Sequence, residues 1–559
     1  MKKFTFIIFI SSMLVVFGSC SKEELEERPP HLVTAKTLYT SLNGFESGLN
    51  GLYSLVRKER EAVDGSGNNL IAMLATVGTD NLDAHNAAYM GAISQNWKSL
   101  NISTSSVYSE SFLWLYQVVN AANTIISRAE SQDGIDWKGG SGSPDQNKNR
   151  VLAEAKALRA WAYRHLTYLW GDVPLTLEEA NGSNIRTDFE RTPKAQIRNV
   201  MKADWLFAEQ YLPVEPVIRG KISKGAVQHY LSELYLTLGK PDSALMYADK
   251  VINTGQYKLI TARYGVEKTE PGVAFMDMFK DGNANREEGN TEALWVWQWE
   301  YNTVGGGANL MRREYSNSYY HSLLSIGGVV PLQLTKQRGG RGIGRAVPSQ
   351  WAINLYEAKD DRGSNYALQK WYILSNAAQN APALADNLPP GYKYGDTIKM
   401  SWAKDLVYIT KTSRNDWPST RKWDNVASTD MQQTTGFNDQ AYLRLAETYL
   451  LKAEAQLKLG NRAGAAETIN VIRRRSHASD ITAAAITIDF ILDERSRELI
   501  TEEHRRYTLL RTGKWLERVK AHNFAGGNQT AAARDTIYPI PQVVIDANLT
   551  KKMPQNPGY

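Results

Sequence analysis

The chain has 559 residues, a formal net charge of +6, 42% apolar and 22% charged residues, and one cysteine. This is the balance of a globular protein able to bury a large core. It excludes a disulfide framework, which needs a second cysteine, and a nucleic-acid binder, which would carry a dense basic stripe.

The first twenty residues, "MKKFTFIIFISSMLVVFGSC", have the layout of an export signal. Lys2 and Lys3 open it, an apolar run from Phe4 to Phe17 follows, and small Gly18 and Ser19 precede Cys20. The run is short of the ~20 apolar residues of a spanning helix. Residues 1–19 are therefore expected to be removed. The junction resembles that of bacterial lipoproteins, whose cysteine becomes lipidated at the new N-terminus. Ser21-Lys22-Glu23-Glu24 resembles the acidic tag that sends some Gram-negative lipoproteins to the extracellular face of the outer membrane. The alternative is an ordinary signal with a chance cysteine.

Residues 20–35, with Pro29-Pro30, read as a lipid-anchored tether. Helical spacing begins near Lys36 and is clear over 114–130. "GIDWKGGSGSPDQNKNR" interrupts it with loop-forming residues. The next segment, 154–170, places Ala155, Leu158, Ala162, Leu166 and Leu169 on one apolar stripe, and Gly171 and Pro174 end it.

An internal repeat follows. "ELYLTLGKPDSALMYADKVIN" (233–253) aligns with "EAQLKLGNRAGAAETINVIRR" (454–474). Each predicts a helix ending in Leu-x-Leu-Gly, a short turn and a second helix, the logic of tetratricopeptide pairs. Between them, about 255–440 is rich in Gly, Asn, Tyr and Trp. It has short strand candidates ("EALWVWQWEY", "DLVYIT") and long loops ("VGGGANLMRREYSNSYYHS", "QRGGRGIGR"). The expected architecture is mostly α: a tetratricopeptide-like scaffold bearing a loop-rich, partly β ligand face. The expected division is 36–254, then 255–559 (loop-rich to 440, helical over 441–559), packed as one compact unit.

Enzyme signatures are missing. The sequence has no His-Glu-x-x-His, no Gly-x-Ser-x-Gly and no phosphate loop, and "GGRGIG" (339–344) lacks the lysine a phosphate loop needs. Two facing carboxylates of a glycoside hydrolase are not legible in one sequence, so that class stays as a remote alternative. Asp281, Asn283, Asn285 and Glu292 occupy positions 1, 3, 5 and 12 of a calcium loop, but Arg286 stands where glycine is required. A polar loop is the better reading, and neither metal nor cofactor is expected. In "LWVWQWEY", Trp295, Trp297, Trp299 and Tyr301 share one strand face. A buried face is expected for the tryptophans, with Tyr301 reaching the adjoining loop. Arg495, Glu498, Glu502 and Arg505 are spaced for ion pairs along a helix, each worth about 0.2–0.5 kcal/mol.

Taken together, "EAKALRAWAYRHLTYLWGDVPL", "FNDQAYLRLAETYLLKAEAQLKLGNRAGAAETINVIRRR", "ILDERSRELITEEHRRYTLLRTGKW" and "YPIPQVVIDANLTKKMPQNPGY" resemble the SusD/RagB family over essentially the whole chain. One local departure is Glu503-His504-Arg505-Arg506, where the family often has Glu-Gly-x-Arg. The resemblance implies a cell-surface lipoprotein that binds oligosaccharides or, in some members, peptides. It implies no catalysis, and delivery of the ligand to a partner TonB-dependent outer-membrane barrel of the SusC type. It also implies ligand contacts from the loop after the first helix and from the loop after the mid-chain strand. By topology these correspond here to Asp83, His85, Tyr89 and Trp97, and to Arg312, Tyr315, Tyr319 and Tyr320, with Trp402 and Trp417 as weaker candidates. For each, a packing or solvated role is the alternative. The modest net charge permits acidic glycans without arguing for them.

Overall fold

A computed structural model describes residues 34–61, 72–84, 89–182, 184–321, 324–376, 385–400, 416–424 and 430–559. The longer helices are α1 (Leu42–Arg57), α2 (Ser106–Ser131), α3 (Pro144–Leu169), α4 (Lys194–Tyr211), α5 (Lys224–Thr237), α6 (Pro241–Ile252), α7 (Leu445–Lys458), α8 (Arg462–Arg475), α9 (Ile488–Leu499) and α10 (Trp515–His522). Each of α2 to α7 packs on the next in chain order, α1 lies against α2 and α3, and α9 covers α7. None of the described helices is long and apolar enough to cross a membrane.

Local chemistry sets the helix ends. Ser143 and Gln146 form a capping box at α3, with Pro144 in the first turn. The two copies of the repeat close identically. Gly239 and Gly460 adopt φ of +69° and +79°. The next amide then reaches back five residues, Lys240 N to Tyr235 O at 2.8 Å and Asn461 N to Gln456 O at 2.9 Å. Glycine reaches that left-handed conformation without a Cβ clash. The pairs α5–α6 and α7–α8 are neighbours in space, since α6 packs on α7 across the long insertion.

Helix α3 differs from its expected single stripe. From Val151 to Leu169 nearly every side is buried, because α2, α4 and α1 surround it. Its charged residues are therefore paired internally: Arg159 with Asp204 at 2.8 Å and Arg164 with Glu233 at 2.8 Å.

Among the described residues the strands form four two-stranded antiparallel ribbons. Strand β2 (Ala293–Trp297) pairs with β8 (Gln440–Arg444), with Ala293 opposite Arg444 and Trp297 opposite Gln440. Because β8 runs directly into α7, this ribbon closes the insertion and returns the chain to the helical stack. Trp295, Trp297 and Trp299 are buried, and Trp297 stacks on Tyr442 at 3.9 Å. Strand β1 (Leu82–Ala84) pairs with β3 (Ala346–Pro348), β4 (Leu368–Gln369) with β7 (Ser419–Thr420), and β5 (Trp371–Ile373) with β6 (Thr397–Lys399). The strand candidate "DLVYIT" lies outside the described residues.

Along the late helix only Glu494 keeps a neighbour at helical spacing among the described residues, Arg497 at 2.8 Å; the four expected residues pair elsewhere. Glu498 binds Arg444, Arg475 and Arg362, while Glu502 and Lys422 pair at 2.5 Å. Arg495 pairs with Glu447 and Glu503, and Arg505 with Asp80. Apart from Glu447 and Glu502, which are partly buried, these side chains are buried, so their partners come from whichever elements cover the helix.

Candidate ligand-binding face

The two loop regions singled out from sequence meet. In the β1–β3 ribbon Asp83 lies opposite Val347. Ser349 adds bonds from its N to Asn81 O at 2.9 Å and from its Oγ to Asp80 O at 2.7 Å. Across the same junction the hydroxyls of Tyr315 and Thr76 are 2.7 Å apart.

Most of the expected contact residues are framework. Trp97 is buried edge-on against Trp515 at 5.4 Å. Tyr315 and Tyr319 are fully buried, and Tyr319 packs on Tyr372 at 4.9 Å. Arg312 is buried on Asp424 and donates to the carbonyls of Arg338 and Gly340 at 2.8 and 3.0 Å. Asp83 is 5% exposed and its Oδ1 has no hydrogen-bond partner among the described residues, so burial pushes its carboxyl well above the usual range. Trp417 is buried and donates to Pro348 O at 2.9 Å. His85 and Trp402 lie outside the described residues, and Tyr89 opens the short helix Tyr89–Gln95.

Among the described residues, two of those expected reach the surface. Tyr301 is 51% exposed and sets its ring edge-on to Phe437 at 5.0 Å. Tyr320 is half-buried; its hydroxyl accepts from Arg341 Nε at 3.0 Å and donates to Gly342 O at 3.4 Å. Arg341 Nη1 also donates to Gln432 O at 2.9 Å. The segment 430–437 thus links both spots: Gln432 touches Arg341 and Phe437 touches Tyr301. Sequence reasoning missed Arg341, Gln432 and Phe437. Arg341 stands in "QRGGRGIGR", a loop the sequence assigns to the loop-rich face without singling out any residue in it. Further along, Tyr366 and Trp371 are exposed and joined through Asn365, whose side chain bonds the backbone of Trp371.

Buried beneath the face, Glu314 sits beside Arg345 at 3.1 Å and Arg313 at 3.6 Å. Burial pushes its carboxyl up to about 7 in spite of both guanidiniums.

One described cluster has the composition of a metal site: Glu59, His165 and His504, with ligand atoms within 4.8 Å of one another. His504 is the residue standing where the family often has glycine. Arg164 Nη1 lies 2.9 Å from His504 Nδ1, and arginine only donates. Nδ1 is therefore an acceptor, and the neutral ring carries its proton on Nε2, facing Glu59 Oε1 at 2.5 Å. A metal ligand needs the Nε2 lone pair, and the charges of Arg164 and Arg60 oppose a further cation. The residues fit a hydrogen-bonded core network, completed by the Tyr442 hydroxyl donating to Glu59 Oε2 at 2.6 Å. The calcium-loop set is likewise committed elsewhere. Asn283 holds Val266 N and Asp277 O at 2.9 and 3.0 Å, and Glu292 is paired with Arg475 and Arg444.

Residues 51–236 match the family described as "Starch-binding associating with outer membrane", and residues 291–559 match the SusD family. The starch-binding protein SusD of Bacteroides thetaiotaomicron is 33% identical over 440 residues, covering 75% of this chain and 74% of that protein. SusD-like protein P2 of Formosa agariphila is 25% identical over 588 residues and the full length of both. Among solved structures, a laminarin-binding SusD-like protein superposes with a TM-score of 0.66 at 20% identity, covering 92% of this chain and 99% of that one.

Proposed function

This chain belongs to the SusD family, and we propose that it captures a glycan on the loop face and releases it uncleaved. The observation that carries the reading is the exposed Tyr301 ring on half-buried Phe437, linked through one segment to Tyr320 and Arg341. Sugars present flat C–H faces to aromatic rings and hydroxyls to polar neighbours. A rigid helical stack holding such groups on short ribbons and turns suits a fairly preformed site. Starch and laminarin binding by relatives support the same class of ligand. In this reading 36–254 and 441–559 form the scaffold and 255–440 supplies the face, with His85 and Tyr89 as further contacts.

The reading extends to position in the cell. Cys20 carries the lipid, the chain stands on the extracellular face of the outer membrane, and a SusC-type TonB-dependent barrel receives the ligand. A Cys20→Ala chain is expected to leave the membrane fraction and lose palmitate labelling; unchanged fractionation and labelling would sink the anchor.

Affinity electrophoresis in gels containing starch or laminarin tests the binding. The purified chain is expected to be retarded, and Tyr301→Ala to weaken retention roughly three- to tenfold, the worth of one aromatic contact. Release of reducing ends that tracks the protein and vanishes on changing one carboxylate would replace capture by hydrolysis.

A further inference from the structure

We infer that the captured glycan is anionic and that Arg341 receives its carboxylate or sulfate group. The inference rests on the glycan-binding reading and names the ligand within it.

The stretch 310–345 carries Arg312, Arg313, Lys336, Arg338, Arg341 and Arg345 against a single carboxylate, Glu314. Described carboxylates outside the stretch answer part of this charge. Arg312 shares Asp424 with Arg421, which sits on it at 2.8 Å, so two guanidiniums divide one carboxylate. Arg338 takes Asp386 at 2.6 Å. Glu314, the local acid, is itself held near neutrality by burial.

Arg341 differs from these neighbours. Both of its partners, the Tyr320 hydroxyl and the Gln432 carbonyl, are neutral, and no carboxylate pairs with it among the described residues. Together they hold the plane of the guanidinium through Nε and one hydrogen of Nη1. The second Nη1 hydrogen and both Nη2 hydrogens make no bond to the described residues. Arg341 is half-buried, so this edge is oriented before any ligand arrives.

The backbone is placed with equal care. A Cβ on Gly342 would fall 2.3 Å from Ser316 O and 2.6 Å from Asn317 O, so this turn presses onto the Tyr320 segment only because position 342 has no side chain. Arg341 and Tyr320 are thereby fixed side by side.

A planar fork with free N–H groups matches an oxyanion in geometry and charge. A neutral sugar needs only amides and hydroxyls, and covering an unpaired guanidinium with one would cost desolvation without an ionic return. The adjoining Tyr301–Phe437 pair then stacks the ring faces of the same polymer. A uronate carboxylate and a sulfate ester share this recognition chemistry.

The experiment compares the purified chain on four polymers by affinity electrophoresis: polygalacturonate, carrageenan, laminarin and polyglutamate. Retention on polygalacturonate or carrageenan is expected to exceed that on laminarin and polyglutamate by about tenfold or more, the range of one charge-assisted bond. Which of the two is preferred tells carboxylate from sulfate. Arg341→Gln should remove that tenfold at an unchanged melting midpoint, and Arg341→Lys should restore only part. If Arg341→Gln melts early, salt decides on the unaltered chain: added salt should weaken retention on the acidic glycan and leave laminarin unaffected. Equal or stronger retention on laminarin overturns the anionic inference and leaves glycan capture standing. Equal retention on polyglutamate overturns it as mere charge attraction. No retention on any polymer overturns both.

Discussion

Two regions of this molecule are crowded with guanidinium groups and use them in opposite ways. Where α8 and α9 meet the inserted segment, Glu292, Glu494, Glu498 and Glu502 interlock with Arg362, Arg444, Arg473, Arg475 and Lys422. All are buried except Glu502, which is nearly so, and each is bound to an opposite charge. On the loop face Arg341 is held by neutral acceptors, and Glu314 is buried but poorly compensated. Saturated charges define a geometry; unsaturated ones keep a capacity to bind. The first arrangement clamps the insertion to the scaffold, and the second is where a ligand can still gain a bond.

The sharpest way to break this comparison is to remove the centre of the clamp. Glu498→Ala would leave Arg444, Arg475 and Arg362 short of a partner in the core, and a stability loss of about 3–5 kcal/mol is expected in urea titration. A loss below ~1 kcal/mol would mean that the clamp holds nothing.

The pH dependence separates the regions next. Burial acts against the Glu498 charge, but Arg475, Arg444 and Arg362 outweigh it and hold its carboxyl well below the ordinary 4.5. Its contribution is present above about pH 4.5 and is lost as pH falls. Glu314 has the opposite sign. Its folded value of about 7 exceeds the ordinary 4.5, so the folded state holds the extra proton. Its contribution is complete below 4.5, fades as pH rises through about 7, and amounts to roughly 3 kcal/mol. Glu314→Gln should flatten the alkaline limb of the melting profile and leave the acid limb unchanged. A parallel shift of both limbs would contradict the distinction.

The smallest stability effect belongs to the surface. The Tyr301→Ala chain that loses glycan retention should melt within about 0.5 kcal/mol of the parent, because half of that ring already lies in water. A large destabilisation would make Tyr301 a core residue and remove the support it lends to the face.

The amino-acid order alone determined the features that depend on near neighbours. The repeated Leu-x-Leu-Gly turns, the α3 segment, the buried tryptophans of β2 and the family-like motifs were all legible, since helix and strand periodicity operates over a few residues. Tertiary structure decided everything that required distant partners. Only the packing of α2, α4 and α1 around α3 turned an apolar stripe into a helix buried on all sides. Only the β1–β3 ribbon and the Thr76–Tyr315 contact brought the two loops together, across more than two hundred residues. Arg495, Glu498, Glu502 and Arg505 are spaced as partners along one helix surface, but other elements cover them and supply closer charges. Arg341 was visible as a residue, but its use depends on which acids the fold commits elsewhere, and no local spacing encodes that.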